Sequence, residues 1–510
     1  MNAFRAERFE QPVAPAAADR RPVAVVIGSG FGGLAAAIRL SVMGYRVQVL
    51  EKNEAPGGRA CAFAQDGFTF DAGPTIITAP FLLEELWQLC GRRFADDVTL
   101  LPMDPFYRVR FADGTWFDYN GDPEHMRREV ARFAPEDVAG YERFLQVAEK
   151  CRKLGFEGMG ATAFDRITDL AKAIPDFLRM GAWRSIHSLV AQHIRNDKLR
   201  TVMSFHPLLI GGNPFDVTAA YALINALERT WGVHSALGGT GAIVQGMVKL
   251  LVQRDVPVRC NAPVTRIRIE NGRAVGVELD NGERIDADIV VSNGDTAWTY
   301  QHLVDAKHRR VWTDRKIRRG KYSMGLFVWY FGTSRRWDEV PHHMLVLGPR
   351  YQGLLHDIFK RQHLADDFSL YLHRPSASDP GVAPAGCDTF YALSPVPHLD
   401  SDTDWAAFGE TYRERIAQAL DDSVLPGLRQ HIVTSQIRTP QTFHDRLWSY
   451  KGAGFGLEPL LTQSAWFRPH NRSEDIPGLY MVGAGTHPGA GVPGVLMSAK
   501  ALQTVVPHVV

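Results

Sequence analysis

The sequence has no run of apolar residues approaching the roughly 18 that a membrane-spanning helix needs. It has no CxxC pair. Its five cysteines, Cys61, Cys90, Cys151, Cys260 and Cys387, are odd in number and dispersed. That pattern argues against a disulfide framework and against a zinc or iron–sulfur site, so no metal is expected and a reducing cytoplasm is. No Ser/His/Asp constellation stands out. Charge of one sign is missing too: the formal net charge is +1, so no basic face offers itself to nucleic acid. There are no internal repeats and no long low-complexity segments. Residues 1–20 lack a signal-peptide pattern, because Glu7, Glu10 and Asp19 interrupt them, and they suit a flexible leader.

What is present starts at Val23 to Ile27, a continuous apolar run of the kind a buried parallel strand shows. Gly28-Ser29-Gly30-Phe31-Gly32-Gly33 follows, then a helical stretch to Met43 and a second strand, Tyr45 to Leu50, ending at Glu51. This is the βαβ unit of a dinucleotide site. Gly28 permits the tight turn, Gly30 lets the backbone approach a pyrophosphate, and Gly33 lets helix and strand pack closely. The helix N-terminus with Phe31 and Gly32 offers unpaired N–H groups to phosphate. Glu51, about 20 residues on, is placed to accept hydrogen bonds from ribose hydroxyls, which disfavours a phosphorylated ribose. Lys52 to Arg59 continues the pattern: Gly57 and Gly58 allow close backbone approach, and Arg59 offers donors to phosphate. A second turn follows at Asp71-Ala72-Gly73-Pro74-Thr75. Near the other end, Gly483 to Gly494 is glycine-dense beside a predicted helix, Val495 to Val506. A site for NAD has no need of so distant a loop, whereas an extended FAD does.

The order is interleaved. An α/β, Rossmann-like FAD-binding domain is expected from residues 21–80, 236–295 and 471–510, and a mixed α+β substrate domain from 81–235 and 296–470. Asn271-Gly272 and Asn281-Gly282 mark hairpins between short strands. In residues 174–194, Ile174, Phe177, Leu178, Trp183, Ile186, Leu189 and Val190 recur at helical spacing. The plain reading is a helix facing the core; the alternative is a helical surface facing a membrane.

The GxGxxG turn followed by Glu51 to Arg59 resembles the FAD-containing amine oxidase and desaturase superfamily. More narrowly, the chain resembles the bacterial-type phytoene desaturases, through Gly67 to Thr75, Ser204-Phe205-His206, Gly211 to Phe215, Glu228 to Val233, Gly238 to Ala242, Glu458 to Arg472 and the Gly483 to Gly494 loop. The resemblance spans nearly the whole chain. It implies FAD as cofactor, with the Val264 backbone at the adenine and the loop through Gly483, Gly485, Thr486, Gly491, Val492 and Pro493 at the ribityl and flavin end. One departure is visible: Thr486-His487-Pro488 stands where many flavoproteins carry an acid.

The resemblance implies conversion of phytoene, through later polyene intermediates, to neurosporene or lycopene; the substrate's insolubility and the helical insert lead us to expect an enzyme lying against a membrane, and the reduced flavin then needs quinone or oxygen as electron acceptor. A polyene delocalises a developing cation, so the protein mainly has to hold one bond beside the flavin and exclude water. Phe205, Trp231, Phe455, Trp466 and Phe467 are candidate tunnel walls, and Asp169, His206 and His487 candidate catalytic groups. The competing readings are another carotenoid desaturase or a carotenoid isomerase on the same scaffold, an amine oxidase, and a non-catalytic prenyl-lipid escort protein. The intact flavin motifs argue against the last.

Overall fold

The computed structural model describes residues 20–509, so most of the expected leader lies outside the described residues. A five-stranded parallel sheet runs in the order Leu479–Met481, Ile289–Ser292, Val23–Ile27, Arg46–Leu50, Val258–Arg259. Its strands come from three distant stretches of chain. The central strand explains its own apolar run, because both its faces are covered. Ala24 and Val26 pack under the helices Phe31–Val42, Gly239–Gln253 and Val492–Leu502. Val25 and Ile27 pack under the three-stranded meander Val264–Glu270, Arg273–Leu279, Arg284–Asp286. In the first turn of that meander, Asn271 and Gly272 both take positive φ, 49° and 77°, as a two-residue hairpin of this twist requires.

A second, seven-stranded sheet runs Ile432–Arg438, Gly325–Thr333, Asp388–Val396, Leu370–His373, His343–Val346, Tyr107–Arg110, Trp116–Tyr119. All its pairings are antiparallel except that of His343–Val346 with Tyr107–Arg110. Gly325–Thr333 is buried throughout. Phe327, Trp329 and Phe331 face the helix Trp405–Asp421, while Leu326, Val328 and Tyr330 face the interior between the two sheets.

Two expectations are corrected. No single helix spans residues 174–194. A helix Ile167–Met180 stops at Gly181, which takes φ 68°, and a short helix Ile186–Ala191 restarts behind a Ser185 cap. Ile186, Leu189 and Val190 are core, but Ile174, Leu178 and Trp183 are 49%, 59% and 60% exposed, as is Ile167 at 60%, so the core-facing reading fails for this first half. The last helix begins at Val492 rather than Val495, because Gly491 with φ 95° releases it and Pro493 is tolerated in a first turn. No helix among the described residues is long and apolar enough to cross a membrane.

The second sheet is pinned by a buried ion pair. Arg374 Nε donates to Asp388 Oδ2 at 2.9 Å, and the same oxygen accepts the Trp337 N–H at 2.8 Å. Asp388 Oδ1 accepts the Ser376 hydroxyl at 2.7 Å, and Arg374 Nη1 donates to the Val340 carbonyl. Replacing Arg374 by Met strands a fully buried carboxylate. The expected cost is about 3–5 kcal/mol of unfolding free energy, read as a lower urea midpoint. A loss below about 1 kcal/mol would show that the pair is dispensable.

Candidate active site

The carboxyl ends of the three inner strands meet at the glycine turn. Gly28 takes φ 89°, and its N–H donates to the Leu50 carbonyl at 2.7 Å. A Cβ on Gly33 would collide with the Gly28 carbonyl oxygen, so the helix can lie against the strand only with glycine there. The Asn293 side chain, at the exit of Ile289–Ser292, fills the space that Cβ atoms on Gly32 or Gly483 would need, and it crowds Gly30. Gly30 caps the helix without any side-chain hydrogen bond, so the first-turn N–H groups keep no side-chain partner.

Glu51 is buried and ties the second strand to this turn. Its Oε2 accepts the Ser29 N–H at 2.9 Å and hydroxyl at 2.7 Å; its Oε1 accepts the Asn53 N–H at 3.0 Å and Nδ2 at 2.9 Å. Four donors thus occupy its acceptor positions. Arg59 donates through Nη2 to Ser449 Oγ at 2.8 Å, and its Nε is buried without a partner. Burial raises the Asp295 carboxyl above its ordinary range, and Arg59 opposes the shift.

One cavity of about 470 Å³ runs from Glu51, Lys52 and Val264 past the glycine turn to Gly491–Pro493 and on into the space between the sheets. Of the residues expected at the cofactor, Gly33, Gly485 and Thr486 are not on its wall. Gly33 is taken by helix packing, Gly485 is pressed on Thr296, and the buried Thr486 hydroxyl donates to the Pro469 carbonyl. Beyond the turn the wall becomes apolar. The helix Leu223–Trp231 presents Leu223, Ile224, Leu227 and Glu228, one helical face. Leu326, Val328 and Tyr330 come from the central strand, and Phe205 and Phe455 join them. Three expected walls lie elsewhere. Trp231 packs on Phe81 and Phe156, Trp466 on His470, and Phe467 is 45% exposed.

A family model for flavin containing amine oxidoreductases matches residues 31–501. The chain is 50% identical over 501 residues to the neurosporene-forming phytoene desaturase of Cereibacter sphaeroides, covering 97% of this chain and 96% of that protein. It is 46% identical over 477 residues to the lycopene-forming phytoene desaturase of Pantoea ananas, covering 93% and 97%. Among solved structures, an oxidoreductase from Methanosarcina mazei matches with a TM-score of 0.65 at 18% identity, covering 94% of this chain and 100% of that one. A putrescine oxidase matches at 0.63 and 14%, covering 95% and 98%. At such identities those two likenesses concern the fold alone.

The chain belongs to the flavin containing amine oxidoreductases. Within them it falls in the branch of the bacterial-type phytoene desaturases. FAD is the cofactor of this oxidoreductase, and the site fits it: an uncapped helix N-terminus, a turn whose Gly28, Gly30 and Gly32 stand on the cavity wall, and the unpartnered Arg59 Nε lie along one continuous space.

The catalytic candidates do not line that space. Asp169 sits in the first turn of Ile167–Met180, half-buried and off the cavity wall. His487 turns away: its Nε2 meets the Met159 carbonyl at 3.0 Å, Phe164 covers the ring, and burial lowers its pKa to about 4. His206 is fully buried behind Glu228, its Nε2 3.1 Å from Glu228 Oε2. Sequence reasoning missed Asn293, whose side chain packs the glycine turn, and the buried Tyr107–Glu228 hydrogen bond at 2.7 Å, for which a carboxylate on the apolar face of a helix was the available signal. It also missed that the fold gathers His342, His343 and His373, whose nitrogens lie within 4.8 Å of one another. His373 Nε2 meets His342 Nε2 at 3.0 Å, His342 Nδ1 meets Ser378 Oγ at 2.9 Å, and His343 Nδ1 meets the Tyr371 hydroxyl at 2.6 Å. Burial lowers His342 to about 3.

Glu51→Leu removes the acceptor of four hydrogen bonds at the dinucleotide turn. FAD affinity is expected to fall at least about tenfold, since stranded buried donors cost about 1–3 kcal/mol. Quenching of FAD fluorescence on titration measures it, and an unchanged Kd would remove Glu51 from the site.

Proposed function

We propose that the protein is an FAD-dependent phytoene desaturase of carotenoid biosynthesis, forming neurosporene, lycopene or both. The observation that carries the reading is the apolar half of the cavity, continuous with the dinucleotide turn and sized by residues of both sheets. Relatives named for both products support it. When bound, FAD supplies a hydride acceptor. The protein's own part is to hold a long apolar chain against that end of the cavity and keep water out. Tyr330 and Tyr391 serve this by directing their hydroxyls to the Ala72 and Gly73 carbonyls, at 2.9 and 3.2 Å. Quinone or oxygen takes the electrons afterwards.

The reading assigns an FAD-binding body to residues 21–80, 236–295 and 471–510, with Gly28 to Gly33, Glu51, Arg59, Gly73 to Thr75 and Val264 as its contacts. The origin of the parallel sheet supports it. It also places the protein against the cytoplasmic face of a membrane. Ile167, Ile174 and Leu178 stand at i, i+7 and i+11 on one helical stripe, beside exposed Trp183 with Arg184 over its ring. The stretch Arg152–Gly158, packed on this helix, contributes Gly155 and Phe156 to the cavity wall, a route for a water-insoluble substrate. Five free cysteines suit a reducing compartment.

Anaerobic incubation of the FAD-loaded protein with phytoene liposomes is expected to bleach the flavin absorbance and yield coloured polyenes. An oxidised flavin with phytoene unchanged would refute the assignment. Leu178→Glu/Trp183→Glu is expected to lower liposome co-flotation about tenfold or more, with FAD content retained. Equal flotation of the variant would count against this membrane face.

A further inference from the structure

Resting on the desaturase reading, we propose that Arg468 raises the reduction potential of the bound flavin, as an unpaired positive charge buried behind the cavity loop that runs from Ala484 to Gly491. Three arginines are fully buried among the described residues, Arg39, Arg374 and Arg468. Arg39 meets Glu85 at 3.1 Å, and Arg374 meets Asp388 at 2.9 Å. The partners of Arg468 are all carbonyls. Its Nη2 donates to Ala484 O at 2.8 Å and Leu457 O at 3.1 Å, its Nη1 donates to Gln463 O at 3.3 Å, and its Nε has no partner. A guanidinium keeps its proton in a protein, so the charge stands. Burying it without a counter-ion is costly.

Tying loops together does not require that charge. The fully buried Asn471 nearby does the same work with a neutral amide, its Nδ2 donating to the Met481 and Ser498 carbonyls, each at 3.1 Å. What sets Arg468 apart is the far side of its loop. Ala484, Pro488, Ala490 and Gly491 line the cavity, and a Cβ on Gly489 would come to 3.5 Å from the guanidinium carbon. The helix Val492–Leu502 starts at the same place without a side-chain cap, so its first N–H groups add to the positive potential. Two neighbours register the field of Arg468. Burial lowers the His487 pKa to about 4, and Arg468 pushes it the same way. Burial raises the pKa of Tyr221, on the cavity wall, and Arg468 opposes the rise.

The layout of the cavity brings the flavin to this loop. With the ribose at Glu51 and the phosphates at the glycine turn, an extended FAD has only the stretch from Ala484 to Pro493 left for its ring, where the apolar half begins. Reduction changes the charge there. One substrate carbon gives up hydrogen with its electron pair to the ring. The neighbouring carbon releases a proton to water, and the electron pair of that C–H bond becomes the second bond of the new C=C. The substrate is oxidised by two electrons, and the ring gains one negative charge. A fixed positive charge behind the loop therefore favours the reduced ring over the oxidised one.

The test is the two-electron midpoint potential of the FAD-loaded protein, read against a reference dye with no phytoene present. Arg468→Gln keeps amide N–H groups for the carbonyls and removes the charge. It should move the reduction equilibrium at least about tenfold toward oxidised flavin, a fall of about 30 mV. Arg468→Lys keeps the charge and should stay within about threefold of the parent equilibrium. A residue that only clamped the loop would lower Tm in both variants and leave the potential unmoved. A parent-like potential in Arg468→Gln, or equal shifts in the Gln and Lys variants, overturns the proposal. Should Arg468→Gln not retain FAD, the parent protein decides. Reduced FAD should bind it at least about tenfold more tightly than oxidised FAD, seen as a bound potential above that of free FAD in the same cell. A bound potential at or below that of free FAD overturns the proposal. None of these outcomes touches the desaturase reading, which falls instead if phytoene does not reduce the parent's flavin.

Discussion

The structure depends on one close approach, the meeting of the Gly28–Gly33 turn, the Asn293 side chain and Gly483 at the carboxyl ends of three adjacent parallel strands. Each contributor comes from a different part of the chain, and each is held by a parallel strand pairing. A Cβ at Gly32 would meet the Gly483 backbone, one at Gly33 the Gly28 carbonyl, and one at Gly483 the Asn293 side chain, so each would push these contributors apart. Separating them would open the phosphate cradle and detach the last helix from the first, with which it shares a core. The ends of parallel strands are where open α/β sheets bind ligands, because helix N-termini converge there. Here that general geometry also unites the chain ends, so cofactor site and fold integrity are one constraint.

From that junction the cavity changes character along its length, and the change follows from strand and helix periodicity. The glycine turns bring backbone N–H groups and charged side chains to one end. At the other, Gly325–Thr333 and Leu223–Trp231 each give one face to their own core and the other to the cavity. A wall built from the inner faces of buried elements is apolar by default. The polar atoms it contains must therefore be tied off locally, as Tyr330 and Tyr391 are to the Ala72–Gly73 loop.

The parts of this arrangement visible in the sequence are those encoded within a few residues. The GxGxxG turn, Glu51, the Asn-Gly hairpin and the buried strands are local patterns of turn chemistry and period, and they stand where the pattern places them. Side-chain direction in the C-terminal loop is not local. Gly485, Thr486 and His487 turn away because Thr296, Pro469 and Met159, distant in sequence, hold them. The stretch from Ile174 to Ile194 shows helical spacing on both sides of Gly181, and spacing carries no mark of a break between two helices that face different surroundings. The aromatics Trp231, Trp466 and Phe467 looked like tunnel walls by composition, yet a residue type does not say which of two cores it enters.

Glu228 shows the same limit from the other direction. Its neighbours Tyr107 and His206 come from a strand and a short 3₁₀ turn, Asn225 of its own helix bonds His206 rather than Glu228, and only this assembly distinguishes Glu228 from a solvated helix acid. The family-specific segments around His206 and from Glu228 onward meet in space, which neither shows in the sequence. Histidine is the usual suspect for proton transfer because its ordinary pKa lies near neutrality. In a wall made to hold a hydrocarbon, accessibility decides first, and the histidine and the carboxylate oxygen it faces both lie behind the wall. A cation spread over a polyene surrenders its proton readily, so the reaction asks less of a buried base than of the surface that holds the substrate and keeps water out.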